Sequence, residues 1–119
     1  MSLSNLLAEL QKEYLESLPE KISGIQDLIN KNEFELVETE FHKLKGTGRT
    51  YGVPEISRVG ELGEKACWIP DAKRNDAIAQ ALQLLLKVHQ SRAKGVDYPI
   101  EDDETCQALG LLIQQYKLD

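Results

Sequence analysis

His42, Lys45, Gly46 and Arg49 stand at i, i+3, i+4 and i+7 of one helical stretch, which gathers a nucleophile, cations and a bare backbone position on one face. Histidine is nucleophilic near neutral pH, because its reference pKa of about 6.5 leaves a large neutral fraction. A cation one turn on would offset charge on a phosphoryl group held by the ring, and a glycine beside it would let another domain approach. Phosphoryl transfer needs mainly positioning and charge stabilisation, so these parts form a near-minimal acceptor.

The helix that carries them reads from about Glu33 to Tyr51, with the apolar stripe Phe34, Val37, Phe41, Leu44, Gly48 and Tyr51. At about 100° per residue, His42 lies roughly 130° from the core direction set by Phe41 and Leu44, on the wet face. Glu35 and Glu38 precede it on that face. Gly52-Val53-Pro54 closes the helix and opens the next, since Gly suits a position just past a helix and Pro the first turn.

Helical spacing recurs almost everywhere, and no alternating strand pattern is present. Leu3, Leu6, Leu7, Leu10, Tyr14 and Leu18 mark a first helix, and Pro19 a kink or restart. Ile22, Ile25, Leu28 and Ile29 mark a second, closed by the polar connection Asn30-Lys31-Asn32. Ile56, Val59, Leu62 and Ala66 mark a fourth; after Trp68-Ile69-Pro70, with Asp71 as an expected N-cap, Ile78, Leu82, Leu85, Leu86 and Val88 build a fifth to about Lys94. Gly95 to Glu104, with Pro99 and five acids, reads as a solvated linker. Cys106, Leu109, Leu112, Ile113 and Tyr116 suggest a last short helix. The expected architecture is an all-α, up-down four-helix bundle with an N-terminal helix and an extra C-terminal one. Residues 1–94 form the bundle, and 95–119 are an acidic linker and helix packed on it or appended to it.

The chain has 119 residues, 41% of them hydrophobic and 29% charged, which suits one domain with a core. A net charge of -6 argues against nucleic-acid binding. No apolar run approaches the ~18 residues of a membrane span and no signal-peptide core follows Met1, so a cytoplasmic protein is expected. By segment the charge is uneven: residues 1–40 carry -6, 41–58 carry +3, 59–94 carry +2 and 95–119 carry -5. His42 therefore sits in a small basic island, which favours an acidic partner surface. Cys67 and Cys106 make neither a disulfide framework nor a metal knuckle, and His42 and His89 lack the Glu-x-x-His spacing of di-iron bundles. Gly46 to Gly52 is glycine-rich, but it lies on a helical seam and lacks the Gly-Lys-Ser/Thr ending of a nucleotide loop.

His42-Lys43-Leu44-Lys45-Gly46-Thr47, followed by Tyr51-Gly52, resembles the signature of bacterial histidine-phosphotransfer (HPt) domains, carried on the second helix of a four-helix bundle. The similarity runs over about residues 3–94 and is densest from His42 to Gly52. It departs from the family pattern at Phe41, where a small residue is frequent, at Gly48-Arg49, at Gly63, and in the 96–119 extension. The resemblance implies that His42 is phosphorylated, Lys45 stabilises the phosphoryl charge, Gly46 gives clearance and Gly52 ends the helix. Lys43, Arg49 and Glu38, close to His42 on the same helix, are expected to contact the partner. It implies transfer to or from an Asp of response-regulator receiver domains or a hybrid sensor kinase. The chain itself would need no cofactor, the Mg²⁺ being held by the receiver, and would act as a monomeric carrier without autokinase activity. A second reading is a helical adaptor that binds a signalling partner without phosphorylation; a third is a fragment of a larger sensor kinase.

Overall fold

The structure is a computed structural model and describes residues 2–118, apart from the side chain of Asp71. Its elements are α1 (Leu3–Glu16), α2 (Leu18–Asn30), α3 (Phe34–Thr50), α4 (Pro54–Ala66), α5 (Asp71–Ala93), a 3₁₀ turn (Ile100–Asp102) and α6 (Glu104–Gln115). Among the described residues there is no strand.

Helices α2 to α5 form a closed four-helix ring, each packed on its two neighbours; α1 leans on α2 and α5, and α6 lies over α4 and α5. The α3 stripe points inward as its period requires: Val37, Phe41, Leu44 and Gly48 are buried, while Phe34 and Tyr51 are half-buried. Pro19 sits in the first turn of α2, where its missing N–H costs nothing, so it restarts the helix rather than kinking one. Asn32 and Gly52 take left-handed backbone (φ 59° and 78°), and each allows a turn tight enough for the next helix to fold back. After α3, Val53 N–H reaches back to the Gly48 carbonyl at 2.8 Å.

Three glycines set how closely α3 and α4 approach. A Cβ on Gly48 would strike Ser57, and one on Gly60 the backbone of Phe41 and Lys45. A Cβ on Gly63 would enter the Phe41 ring. The two family departures at Phe41 and Gly63 thus fit each other, with the volume added on α3 removed from the facing α4.

Several expectations change. Helix α5 begins at Asp71 with Pro70 in the cap position, so Asp71 is the first helical residue; the capping role expected of its side chain lies outside what is described. Leu86 is exposed, and Ala77, Ala81 and Leu84 complete the α5 core instead. In α1 only Tyr14 is buried, and Leu3, Leu6, Leu7 and Leu10 face solvent. Helical spacing established α1 as a helix without a partner to bury its stripe.

The stretch from Gly95 to Glu104 is pinned, not free in solvent. Glu55 is buried at the start of α4 and accepts from Arg92 Nη2 at 2.6 Å, Arg92 Nε at 2.8 Å and Tyr98 N at 3.0 Å. Asp103 is also buried; it caps α6 by accepting from Cys106 N and takes bonds from Lys87 Nζ at 2.9 Å and from the Tyr98 hydroxyl. Behind these anchors Ile100, Cys106, Leu109 and Ile113 join the core. Burial pushes the Cys67 thiol up to about 12, and raises that of Cys106 as well.

Candidate functional site

His42 lies in the middle of α3 with its side chain 69% exposed, pointing away from the core as the stripe geometry requires. Its Nδ1 stands 3.2 Å from Glu64 Oε1, on the facing edge of α4. An ionised carboxylate only accepts, so a neutral ring bonded to it carries its proton on Nδ1 and its lone pair on Nε2. The other Glu64 oxygen is shielded from solvent and lies 3.9 Å from Lys45 Nζ. One carboxylate therefore orients the imidazole and places the ammonium beside it. The contact depends on the close α3–α4 approach, since a larger residue at Gly60 would push the α4 edge away from His42.

The other expected residues occupy distinct places. Gly46 has open space where a Cβ would project, one turn from His42. Arg49 is exposed; its backbone N–H donates to Ser57 Oγ at 2.7 Å, and its side chain borders a cavity of about 610 Å³ shared with Leu7, Leu10 and Tyr51. Lys43 is exposed and reaches Glu40 at 3.3 Å. Glu38 is half-buried, one turn before His42. Gly52 closes α3, and its carbonyl and that of Tyr51 accept from Gln11 Nε2 of α1. Behind the site, the Tyr14 hydroxyl bonds Thr47 Oγ1 at 2.8 Å and the Tyr14 and Tyr51 rings stack at 4.6 Å, tying α1 to α3.

His89 lies elsewhere, half-buried on α5 beside Ala8, Gln11 and Leu15 of α1. Sequence reasoning missed Glu64. It falls 22 positions from His42 and meets it only through packing of two helices; the one available signal was its place on the polar flank of α4.

A single exposed imidazole, oriented by a carboxylate and flanked by a lysine and an open glycine, suits reversible attachment of a phosphoryl group. The family model described as the Hpt domain matches residues 9–97. The chain belongs to the Hpt domain family. Histidine phosphotransfer within phosphorelays is the activity of that family, and its members interact with response regulators and kinases. No curated protein and no solved structure matches the chain. The Hpt match covers α2 to α5 and the inner half of α1, and stops before the 3₁₀ turn and α6. No helix among the described residues of this Hpt domain is long and apolar enough to cross a membrane.

Proposed function

We propose that this chain is a phosphorelay intermediate that takes a phosphoryl group on His42 Nε2 and passes it to or from an aspartate of a receiver domain. The observation that carries this reading is the His42–Glu64 contact on a wet helix face, because it engages Nδ1 and leaves Nε2 of an exposed ring for the phosphoryl group.

In the forward step, His42 Nε2 attacks the phosphorus of an aspartyl phosphate on the receiver. A P–N bond forms, the acyl-phosphate P–O bond breaks, and the receiver's carboxylate leaves with the electron pair. The ring gains positive charge, which Glu64 balances through Nδ1–H, while Lys45 attracts the phosphoryl oxygens. The reverse step returns the group to an aspartate, so the imidazole serves as nucleophile and as leaving group. Lys43, Arg49 and Glu38 border the approach, and Gly46 leaves room for the incoming loop. The chemistry draws Mg²⁺ from the receiver's acidic pocket, since the cations around His42 repel a metal ion. Residues 95–118 belong to the same folding unit in this reading, and the protein acts in the cytoplasm as a carrier, not as a kinase.

The test is phosphohistidine formation after mixing with phosphorylated receiver domains, scored as acid-labile, base-stable label. His42→Gln is expected to keep the helical circular-dichroism spectrum and melting temperature while losing all label. Label retained by that variant would refute the assignment, and a wild-type chain that binds receivers without accepting label would favour the adaptor reading.

A further inference from the structure

Trp68 is the chain's single tryptophan, and it stands 58% exposed just past the end of α4. Tryptophan is highly buried on average, and on protein surfaces it is enriched where a partner anchors. Its position follows from α4 itself. The backbone stays helical through Cys67 (φ -65°, ψ -18°), and Trp68 N donates to the Lys65 carbonyl at 3.0 Å. Trp68 is four residues after Glu64, so it lies about 40° around the helix from it and ~6 Å further along. Glu64 is the residue that touches His42. The indole therefore continues the α4 edge that borders His42. The adjoining Cys67 is near enough to Glu38 and Glu64 for both to act on its thiol, which places this end of α4 beside the turn of α3 that precedes His42.

A docking partner of ordinary size covers about 800 Å² on each side, a disc of roughly 16 Å radius. Centred on His42, such a footprint includes Trp68. Around His42 on α3 stand the exposed cations Lys43, Lys45 and Arg49, and the other exposed apolar side chains nearby are the smaller Leu36 on α3 and Leu7 and Leu10 beyond Arg49. Charged groups steer an encounter, and a desolvated aromatic anchor slows its dissociation.

We propose that Trp68 is the apolar anchor with which the receiver domain serving His42 grips this face, and a determinant of which receivers are accepted. The proposal rests on the phosphotransfer reading. The occupant follows from reach: a receiver whose aspartate meets His42 Nε2 must also lie over the α4 edge.

The experiment uses the full chain, labelled on His42 with phosphoramidate, whose P–N bond breaks to release ammonia as the histidine P–N bond forms. Transfer is then followed to tryptophan-free receiver domains encoded in the same genome. W68A and W68F are compared with wild type and with L111A, a control on α6 where another exposed side chain is removed. Expected are equal labelling of all four proteins by phosphoramidate and a half-saturating receiver concentration at least tenfold higher for W68A. W68F should fall within about threefold of wild type, with maximal rates unchanged throughout. Wild-type indole emission should shift to the blue when receiver is added. Unchanged half-saturation in W68A, with indole emission indifferent to receiver, overturns the proposal. So does a blue shift that grows with the concentration of the chain alone while W68A transfers normally, since Trp68 would then serve self-association. Failure of phosphoramidate to label wild type on His42 removes instead the phosphotransfer reading beneath it.

Discussion

At the scale of single residues, the imidazole of His42 needs an orienting partner because a side chain exposed on a helix otherwise samples several rotamers. Glu64 supplies it, and Glu64→Ala should release the ring and remove a counter-charge. The contact is partly solvated, so its effect is modest: transfer should slow by about five- to tenfold, equivalent to ~1–1.4 kcal/mol. Nitrogen-15 shifts of the imidazole should show the neutral ring held as the Nδ1–H tautomer in wild type and mixed in the variant. Glu64→Gln can still bond the ring but lacks the charge, and it should fall between the two in rate. His42 and Lys45 were legible because the period of one helix places them, whereas Glu64 depends on a contact between helices.

At the scale of elements, the α3–α4 pair uses its glycines in opposite ways. Gly46 faces open space, so Gly46→Ala should stabilise the helix by about 0.5–1 kcal/mol in chemical denaturation. A long side chain there, as in Gly46→Gln, should leave stability unharmed and slow transfer from a receiver more than labelling by phosphoramidate. Gly63 meets the Phe41 ring, and Gly63→Ala should cost about 1–3 kcal/mol by overpacking. In a Phe41→Leu background the same change should cost under ~1 kcal/mol, a coupling that a double-mutant cycle measures directly. Helix positions were readable from sequence because the 3.6-residue period is local. Phe41 and Gly63, each apart from the family pattern, could not be recognised as a fitted pair before the two helices were seen in contact. The α1 leucines carry the converse lesson, since period gives an element and its face but not whether anything covers that face.

At the scale of the whole molecule, two buried carboxylates hold the C-terminal segment onto the bundle. Burial by itself raises the Asp103 carboxyl; the bonds from Tyr98, Lys87 and the Cys106 amide outweigh it and bring the group down to about 2. Burial likewise works against Glu55, whose bonds from Arg92 and backbone amides leave it below its ordinary value. A carboxyl that binds its proton less readily when folded stabilises the fold above its unfolded pKa and loses that contribution as pH falls through the folded value. Asp103→Asn keeps a capping side chain but removes the charge. It should destabilise by about 2 kcal/mol at pH 7, and the difference from wild type should shrink toward zero between pH ~4 and ~2 in pH-dependent melts. Five acids around a proline read as solvated linker because composition reports average exposure; that Asp103 turns inward was fixed by partners on α5 and in the preceding turn.

The buried thiols have a practical use. With Cys67 and Cys106 enclosed and their pKa values raised, alkylating probes at neutral pH meet little native thiolate. A cysteine introduced at an exposed site such as Leu111 would then be the dominant reactive handle, so a fluorophore or spin label could be attached without first removing either native cysteine.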